Sequence, residues 1–313
     1  MTIADLGEFG LILEMARRFP PGGRTLVGIG DDAAVVATPD GRVVATMDLL
    51  VEGRHFRRDW SGPAEIGAKA AAQNLADLAA MGADPVALLV GFAAPGDLSL
   101  AWTKELVSGM ARECSRVGAA VVGGDVSSAG KIMLAVTALG DLAGREPVTR
   151  AGARPGDVLA FTGALGHSAA GLALLDAGLA EPASLIADHR RPRPPYPAGP
   201  EAARLGATAM IDVSDGLVQD VGHVAQASSV LIDIGSALLP RPPALVTAAA
   251  ALGLGDPLEW LLTGGEDHAL AATFPAGTSL PGRWSVIGHV HEGSGMRIDG
   301  KPFLGEGGWN HFR

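Results

Sequence analysis

The sequence predicts a mixed α/β (or α+β) chain built from two domains. Strand-like runs rich in Val, Leu and Ile alternate with Ala-rich helical segments along its 313 residues. Hydrophobic residues make up 48% of the chain and charged residues 19%, a globular composition with enough apolar material for two cores. A stretch rich in Gly, Pro and Arg without periodicity, residues 144–157, separates the two alternating halves. We therefore expect one domain over residues 1–145 and a second over residues 146–313.

The first half opens with two β-branched runs, residues 25–36 and 42–51. The Pro39-Asp40-Gly41 stretch between them is typical of a turn and predicts that the two runs form a hairpin. An Ala-rich helix follows over residues 63–82, with a proline at its start and a glycine at its end. The remaining predicted elements are a strand at 85–95, a helix at 100–118 and strands at 119–126 and 132–142.

The second half restarts the same alternation. Its predicted strands are 158–163, 209–213, 230–235, 268–275 and 283–290, and its predicted helices are 168–178, 217–228 and 244–253. The segment "HRRPRPPYPAGP", residues 189–200, is predicted to hold no regular structure because prolines lack an N–H donor and restrict the residue before them.

Charge and cysteine content exclude several classes of protein. A net charge of −10 argues against nucleic-acid binding, which needs Lys and Arg surfaces, but it permits a phosphorylated ligand accompanied by divalent cations. Cys114 is the single cysteine and stands in a predicted helix, so we expect a buried thiol and no disulfide or Cys-based zinc site within the chain. Asp5 and Glu8 stand where a signal peptide would be basic, and no uncharged apolar run reaches the roughly 18–20 residues of a membrane span. We expect a cytoplasmic protein with no membrane partner.

Acidic residues recur at the ends of the apolar runs. They are Asp31, Asp32, Asp48, Asp77, Asp125, Asp212, Asp215, Glu266 and Asp267. Any one of them alone is ordinarily a helix cap, a turn former or a solvated loop residue. Several have glycine neighbours that permit close approach of a ligand, and an oxygen-rich set with few nearby cations suits Mg²⁺ shared with substrate phosphates. Composition and spacing leave two alternatives open, a multi-carboxylate Mg²⁺ and phosphate site or scattered loop acids.

Taken together, these segments resemble one known family nearly end to end. The motifs are "GIGDDAAVV", "TMDLLVEGRHF", "NLADLAAMGADP", "GGD", "TRAGARPGD", "DVSDGL", "TGGEDHAL" and "GGWNHF". The chain is similar to the thiamine-monophosphate kinases, which belong to a superfamily with aminoimidazole ribonucleotide synthetase and selenophosphate synthetase. "NLADLAAMGA" together with "GRHF" is the most specific part of the resemblance, whereas "GGD" alone means little.

The resemblance implies a two-domain synthetase-like fold and a kinase reaction. The N-terminal domain would bind ATP and Mg²⁺ and pair with a second copy, forming a β-barrel across a homodimer. The reaction would transfer the γ-phosphate of ATP directly and in line to thiamine monophosphate, giving thiamine diphosphate. Several Mg²⁺ ions would assist, and no residue would act as nucleophile or base.

The resemblance also assigns site residues. Metal ligands would be Asp31, Thr46, Met47 through its carbonyl, Asp48, Asp77, Asp125, Asp212 and Asp215. ATP would contact Gly124, Asp125, Arg150 and Ser214, and thiamine monophosphate would contact His55, Glu266 and Trp309. Two positions depart from the family pattern, since Met47 and Val126 both stand where Thr is common. A carbonyl ligand at position 47 would survive that change.

Two alternatives remain beside the kinase. One is another ATP-dependent enzyme of the superfamily, acting on a different small phosphorylated or amide substrate. Selenophosphate synthetases use an N-terminal Cys, and no Cys precedes Cys114 here. The other is a non-catalytic nucleotide-binding regulator on the same fold, because a fold does not fix a function.

Overall fold

The structure is a computed structural model that describes residues 1–20, 22–29, 33–305 and 307–309. The chain divides into two compact units. The first comprises Met1–Leu78 and Ala83–Gly144, and the second comprises Ala79–Gly82 and Arg145–Arg313. Both contain helices and strands, so the predicted mixed α/β class is confirmed. None of the helices in the described ranges is long and apolar enough to cross a bilayer.

The first unit is built on a four-stranded sheet in the order β3-β6-β4-β5, with a separate two-stranded sheet of β1 and β2. The helices are α1 (Ile3–Ala16), α2 (Pro63–Ala80, whose last two residues group with the second unit) and α3 (Leu100–Ser115). The strands are β1 (Thr25–Val27), β2 (Val35–Val36), β3 (Val44–Val51), β4 (Asp84–Ala94), β5 (Ala120–Ser128) and β6 (Met133–Asp141).

The two faces of the four-stranded sheet differ sharply in exposure. On one face the cross-strand row of Leu50, Leu134 and Phe92 is buried. On the other face Met47 and Leu49 of β3 are 57% and 45% exposed, and Leu89 and Met133 also stand out. Successive residues of a strand point to opposite faces, so Thr46 and Asp48 lie on the same face as Leu50. One strand therefore presents polar groups to one side and apolar groups to the other.

Helices α2 and α3 pack against each other through glycines. A Cβ added at Gly67 would lie 1.9 Å from the carbonyl oxygen of Leu106, and one added at Gly109 would lie 2.0 Å from that of Ala64. Only glycine allows backbones to approach this closely. Cys114, at the end of α3, is buried as predicted, and burial raises the pKa of its thiol to about 12.

The predicted hairpin between residues 25–36 and 42–51 is wrong. A turn is present, since the N–H of Gly41 donates to the oxygen of Thr38 (2.9 Å), but the strands on either side belong to different sheets. The first run is reduced to β1 and β2, which pair with each other. β3 instead pairs with β6 from Val44 to Val51. Pairing of β3 with β6 provides eight residues of cross-strand contacts, more than pairing with the two-residue β2 could provide.

The second unit is a seven-stranded sheet in the order β13-β12-β9-β11-β7-β10-β8. The helices are α4 (His167–Asp176), α5 (Ala183–Arg190), α6 (Ala198–Arg204), α7 (Leu217–Ser228), α8 (Pro243–Ala251) and α9 (Leu258–Thr263). The strands are β7 (Val158–Thr162), β8 (Ala209–Val213), β9 (Leu231–Ile234), β10 (Ala269–Phe274), β11 (Ser285–His291), β12 (Gly295–Ile298) and β13 (Lys301–Pro302). β9 and β12 run parallel, and the other neighbours run antiparallel.

This sheet separates two cores. Ile211 and Ala271 contribute to the core that includes α4, α5, α7 and α8, whereas Met210 and Ala272 contribute to the core that includes α6. The alternation follows from the two-residue period of the strands. β8 and β10, the strands that precede and follow the acid-bearing loops, are buried along their whole length. The loops at their ends are thus held by a rigid support.

The Pro-rich segment 189–200 differs from its prediction at both ends. α5 runs to Arg190, and α6 begins at Ala198, with Pro200 in its first turn. Proline is accepted there because the N–H groups of a first turn have no helical partner to lose. The sequence also gave no prediction of α1, α5, α9, β12 or β13, most of which are short.

Candidate active site

In the first unit, three of the predicted residues meet between β3 and α2. The Thr46 hydroxyl donates to Asp77 Oδ2 (2.7 Å), and Asp48 lies on the same face of β3 as Thr46. Asn74, fully buried on α2, accepts a hydrogen bond from the Asp48 N–H (3.0 Å) and donates to the Ala70 oxygen (3.0 Å). The sequence reasoning missed Asn74. A buried amide one turn before Asp77 was the signal that could have identified it.

Two other predicted residues of this unit lie apart from that group. Met47 points to the opposite, exposed face of β3, so its carbonyl and not its side chain is the group near Asp48. Asp125 stands on β5, and β3 and β5 end the strand order of the described sheet. Three strand spacings of about 4.8 Å separate the two strands by roughly 14 Å. Within one chain, the sheet does not bring Asp125 to Asp48.

Gly124 occupies a position that only glycine can fill. Its φ is +155°, and an added Cβ would lie 2.0 Å from the Val90 oxygen of the neighbouring strand β4. The absence of a side chain lets β5 pack directly against β4 beside Asp125.

His55 is held in a defined orientation at the end of β3. Its Nδ1 accepts a hydrogen bond from the Val51 N–H (3.0 Å), and the buried Lys69 ammonium donates to its carbonyl oxygen (3.1 Å). With Nδ1 used as an acceptor, the neutral ring carries its proton on Nε2 and presents it as a donor. The same loop borders a cavity of about 750 Å³ that none of the predicted site residues line, its basic members being Arg57, Arg58 and Lys131.

In the second unit, a loop follows β8 and displays Ser214 and Asp215. Asp220, in the first turn of α7, accepts hydrogen bonds through one oxygen from the N–H groups of Ser214, Asp215 and Gly216 (3.0 Å each). Burial, and then the nearby Asp212 carboxylate, raise the pKa of Asp220 to about 7. The sequence reasoning missed this residue, although an acid in the first turn of a helix behind a glycine-containing loop is a usual holder of such N–H groups.

A second loop, residues 264–268, lies against the first. The Glu266 N–H donates to the Ser214 oxygen (2.6 Å), and the His268 N–H donates to the Val213 oxygen (2.9 Å). His268 Nδ1 is 3.1 Å from Asp212 Oδ2. The pair of loops therefore brings Asp212, Ser214 and Glu266 into one group.

The side chains around Glu266 are largely buried. Asp267 accepts hydrogen bonds from the N–H groups of Gly166 (2.5 Å) and Ser168 (2.8 Å), and burial raises the pKa of its carboxyl to about 7. His189 Nδ1 lies 3.0 Å from the Ser168 hydroxyl and 3.8 Å from Glu266 Oε2. Asp267, His189 and Ser168 were not predicted as site residues.

Trp309 is joined to the first loop by its backbone. Its N–H donates to the Asp215 oxygen (3.0 Å), and its own oxygen accepts from the Gln219 side chain (2.9 Å). A Cβ at Gly308 would lie 2.2 Å from the Asp215 oxygen, so the segment needs glycine to reach this position. The Trp309 side chain is 56% exposed.

The other predicted residues take no part in these groups. Arg150 is exposed, and its carbonyl oxygen accepts from the Ser228 hydroxyl (2.9 Å). Asp31 lies outside the described residues.

The donor atoms gathered in each unit are oxygens of carboxylates and a hydroxyl. Nowhere in the described ranges do three or more His, Cys, Asp or Glu side chains form a group that could hold a metal ion. Mg²⁺ does not require such a group, because it binds through one or two carboxylates and completes its shell with water and substrate phosphates. The Thr46, Asp48 and Asp77 set fits that ion in the nature of its ligands.

Comparison with known proteins gives consistent matches. The family models for the AIR synthase related protein N-terminal and C-terminal domains match residues 30–142 and 154–301. The chain is 48% identical over 313 residues to thiamine-monophosphate kinase of Mycobacterium tuberculosis strain H37Rv, covering 99% of this chain and 93% of that one. It is 36% identical over 330 residues to the kinase of that name from Aquifex aeolicus, covering all of both chains.

Solved structures agree with these matches. Thiamine-monophosphate kinase from Stenotrophomonas maltophilia K279a superposes with a TM-score of 0.83 at 32% identity, covering 94% of this chain and 96% of that one. AaThiL complexed with AMPPCP and TMP superposes with a TM-score of 0.82 at 37% identity, covering 100% and 99%. The hydrogenase maturation protein HypE of E. coli, at 22% identity and a TM-score of 0.73, shares the fold alone.

Proposed function

This chain belongs to the thiamine-monophosphate kinase family of the AIR synthase related proteins, and we propose that it transfers the γ-phosphate of ATP to thiamine monophosphate, giving ADP and thiamine diphosphate. The observation that carries the proposal is the full-length likeness to kinases of that name, one of whose structures contains AMPPCP and TMP. The oxygen-rich groups of both units support it, since phosphoryl transfer depends chiefly on positioning and charge neutralisation.

The proposed cofactor is Mg²⁺, with several ions bound. When bound, it neutralises phosphate charge and orients the reacting phosphates. The proposed ligands are Thr46, Asp48 and Asp77 with the Met47 carbonyl and Asp125 in the first unit, Asp212 and Asp215 in the second, and Asp31.

For ATP, the proposed contacts are Gly124, Asp125, Arg150 and Ser214. The loop after β8 contributes to this site through side chains. Three successive N–H groups, those of Ser214, Asp215 and Gly216, already donate to Asp220 and so do not form a phosphate-binding nest. The Ser214 hydroxyl and the Asp215 carboxylate are the groups that the loop presents to the ligand.

For thiamine monophosphate, the proposed contacts are His55, Glu266 and Trp309. The Trp309 side chain supplies an exposed aromatic face for stacking, and His55 supplies an Nε2 proton. The acceptor is a phosphate oxygen that is already ionised at neutral pH, so the reaction needs no strong general base. Transfer is then direct and in line, and Ser214 serves as a ligand and not as a nucleophile.

The proposal includes a cytoplasmic homodimer whose first units close into a shared β-barrel. The exposed apolar face of Met47, Leu49, Leu89 and Met133 supports it, as does the position of β3 and β5 at the two ends of the strand order. Two such sheets joined edge to edge would pair the outer strands of the two copies and cover the apolar face. A cytoplasmic location suits an enzyme that consumes ATP.

A coupled assay of ADP formation tests the proposed function. Purified protein with Mg²⁺ and ATP is expected to form ADP only when thiamine monophosphate is added. A panel of other phosphorylated acceptors serves as the control. Turnover with a different acceptor and none with thiamine monophosphate would favour another enzyme of the superfamily. ATP binding without turnover on any acceptor would favour a regulator.

A further inference from the structure

Asp267 is a buried carboxylate next to Glu266, and neither the reaction nor the proposed ligand contacts use it. It lies in the loop 264–268, and both of its oxygens are engaged, Oδ2 by the Gly166 N–H and Oδ1 by the Ser168 N–H. These N–H groups stand at the start of α4, a ten-residue helix, where backbone donors have no helical acceptor. The carboxylate therefore fastens the loop to the end of a helix at two points.

The backbone of the loop is held in a conformation that it would not adopt freely. Glu266 has a φ of +63° and His268 a φ of +53°, and Asp267 lies between them. Positive φ is unfavourable for residues with a Cβ and persists only when the surroundings fix it. A Cβ at Gly264 would lie 2.4 Å from the Trp260 oxygen, and one at Gly265 would lie 2.6 Å from the Ser214 oxygen. Close contacts therefore restrict the backbone of the loop at Gly264 and Gly265, and the Asp267 hydrogen bonds hold its centre.

The direction of the Glu266 carboxylate follows from that backbone. The side chain is about one third exposed, and Glu266 Oε2 lies 3.8 Å from His189 Nδ1. The position of such a side chain depends on where its backbone directs the Cβ. The strained backbone fixes the Cα–Cβ direction, and the strain is maintained by the two bonds to Asp267 together with the N–H bonds of Glu266 to Ser214 and of His268 to Val213.

We propose that Asp267 is a positioning residue for the acceptor, acting through Glu266. This inference rests on the proposed function, in which Glu266 contacts thiamine monophosphate. The ATP-contacting loop touches this loop through the Glu266 N–H and the Ser214 oxygen, but its own N–H groups are held by Asp220, so loss of the Asp267 contacts is expected to raise the KM for the acceptor more than the KM for the nucleotide.

The test compares Asp267→Asn with the wild type in steady-state kinetics against both substrates. Asn keeps the size of the side chain but turns an NH₂ group toward one of the two N–H donors, so one bond is replaced by a repulsive contact. We expect the KM for thiamine monophosphate to rise tenfold or more and the KM for ATP to change less than twofold, with an unchanged far-ultraviolet circular dichroism spectrum. An unchanged KM for the acceptor, or an equal rise in both KM values, would overturn the inference.

Asp299→Asn is the matched control. Asp299 stands in a positive-φ turn and, like Asp267, accepts a backbone N–H, that of Ser236, but it follows β12, which four strands separate from β8 in the sheet order. The same chemical change there should leave both KM values within twofold of the wild type. A rise in the acceptor KM as large as that of Asp267→Asn would count against a role specific to the acceptor loop.

A double-mutant cycle separates positioning from a general loss of structure. If Asp267 acts through Glu266, then Asp267→Asn should raise the acceptor KM less than twofold when Glu266→Gln is already present. Fully multiplicative effects would contradict the inference. Wild-type activity with thiamine monophosphate decides the proposed function separately, because the inference is read only from ratios of variant to wild type.

A second pair of variants reaches the same bonds from α4 and is used if Asp267→Asn does not fold. Ser168→Pro removes the N–H that donates to Asp267, in a helical turn where proline is tolerated. Ser168→Ala keeps that N–H and removes only the hydroxyl near His189. We expect the acceptor KM to rise at least fivefold in the first and less than threefold in the second. Equal effects of the two would overturn the inference.

Discussion

Replacing Asn74 by Ala should reduce both stability and catalysis, because the Asn74 side chain links α2 to the backbone of β3 at Asp48. The change leaves the Asp48 N–H without its acceptor and removes the donor to the Ala70 oxygen. The Asp48 N–H is only partly buried, so loss of its acceptor costs about 1–2 kcal/mol, and loss of the second bond adds about 1 kcal/mol. We therefore expect the free energy of unfolding to fall by about 2–3 kcal/mol.

The catalytic consequence follows from Asp48. A proposed metal ligand that is no longer held at its N–H shifts with its strand, and a shift of about 1 Å can reduce a rate by about 100-fold. We expect kcat to fall by at least tenfold at saturating ATP and thiamine monophosphate, and the loss to persist well below the melting temperature of the variant.

Urea denaturation and steady-state kinetics measure the two effects on the same preparations. Gln73→Ala is the control, since Gln73 is the neighbouring, half-buried residue of α2 and its truncation should change the free energy of unfolding by less than 1 kcal/mol. If Asn74→Ala lost stability without losing kcat at low temperature, Asn74 would be structural only. If it lost neither, the two hydrogen bonds would not contribute as described.

Four further predictions concern single positions. Asp77→Asn should reduce kcat at least 100-fold with an unchanged melting temperature, and wild-type turnover in that variant would remove Asp77 from the proposed metal ligands. Trp309→Ala should raise the KM for thiamine monophosphate more than the KM for ATP, and an equal change in the two KM values relative to the wild type would exclude stacking. Gly109→Ala should lower the free energy of unfolding by about 1–3 kcal/mol in urea, because its Cβ would lie 2.0 Å from a backbone oxygen, whereas Gly222→Ala, whose Cβ meets nothing closer than 3.6 Å, should not be destabilising. The free energy of unfolding of the wild type should fall relative to that of Asp267→Asn as the pH rises from about 4 to 7, because burial raises the pKa of the folded carboxyl to about 7 and the unfolded one ionises first; parallel curves would contradict this.

The sequence predicted most of the longer elements because their periodicity is local. The helices α2, α3 and α7 and the strands β4, β6 and β10 each carry a pattern that their own residues determine. The hairpin failed because the partner of β3 lies some ninety residues further on, in β6. No turn motif contains that information.

The candidate site shows the same division. The acids at the ends of apolar runs were recognisable from the sequence, and Thr46, Asp48 and Asp77 do lie together. The distance from Asp48 to Asp125 depends on the lateral order of strands, which sequence spacing does not contain. Asp220 and Asp267 were overlooked in these roles because each acts on N–H groups of other residues, which are visible only once the loops are folded.

The register of β3 against β6 is strongly specified. A shift of one residue in the register of β3 against β6 would turn Met47 and Leu49 toward α2. The same shift would move Thr46 and Asp48 to the outer face, so the apolar and polar faces of the strand would be exchanged. The eight-residue ladder and the Asn74 contact to Asp48 both resist that shift. The register of β3 thus decides two things together: a misregistered chain would turn apolar side chains toward α2 and would separate Thr46 and Asp48, two of the proposed metal ligands, from Asp77.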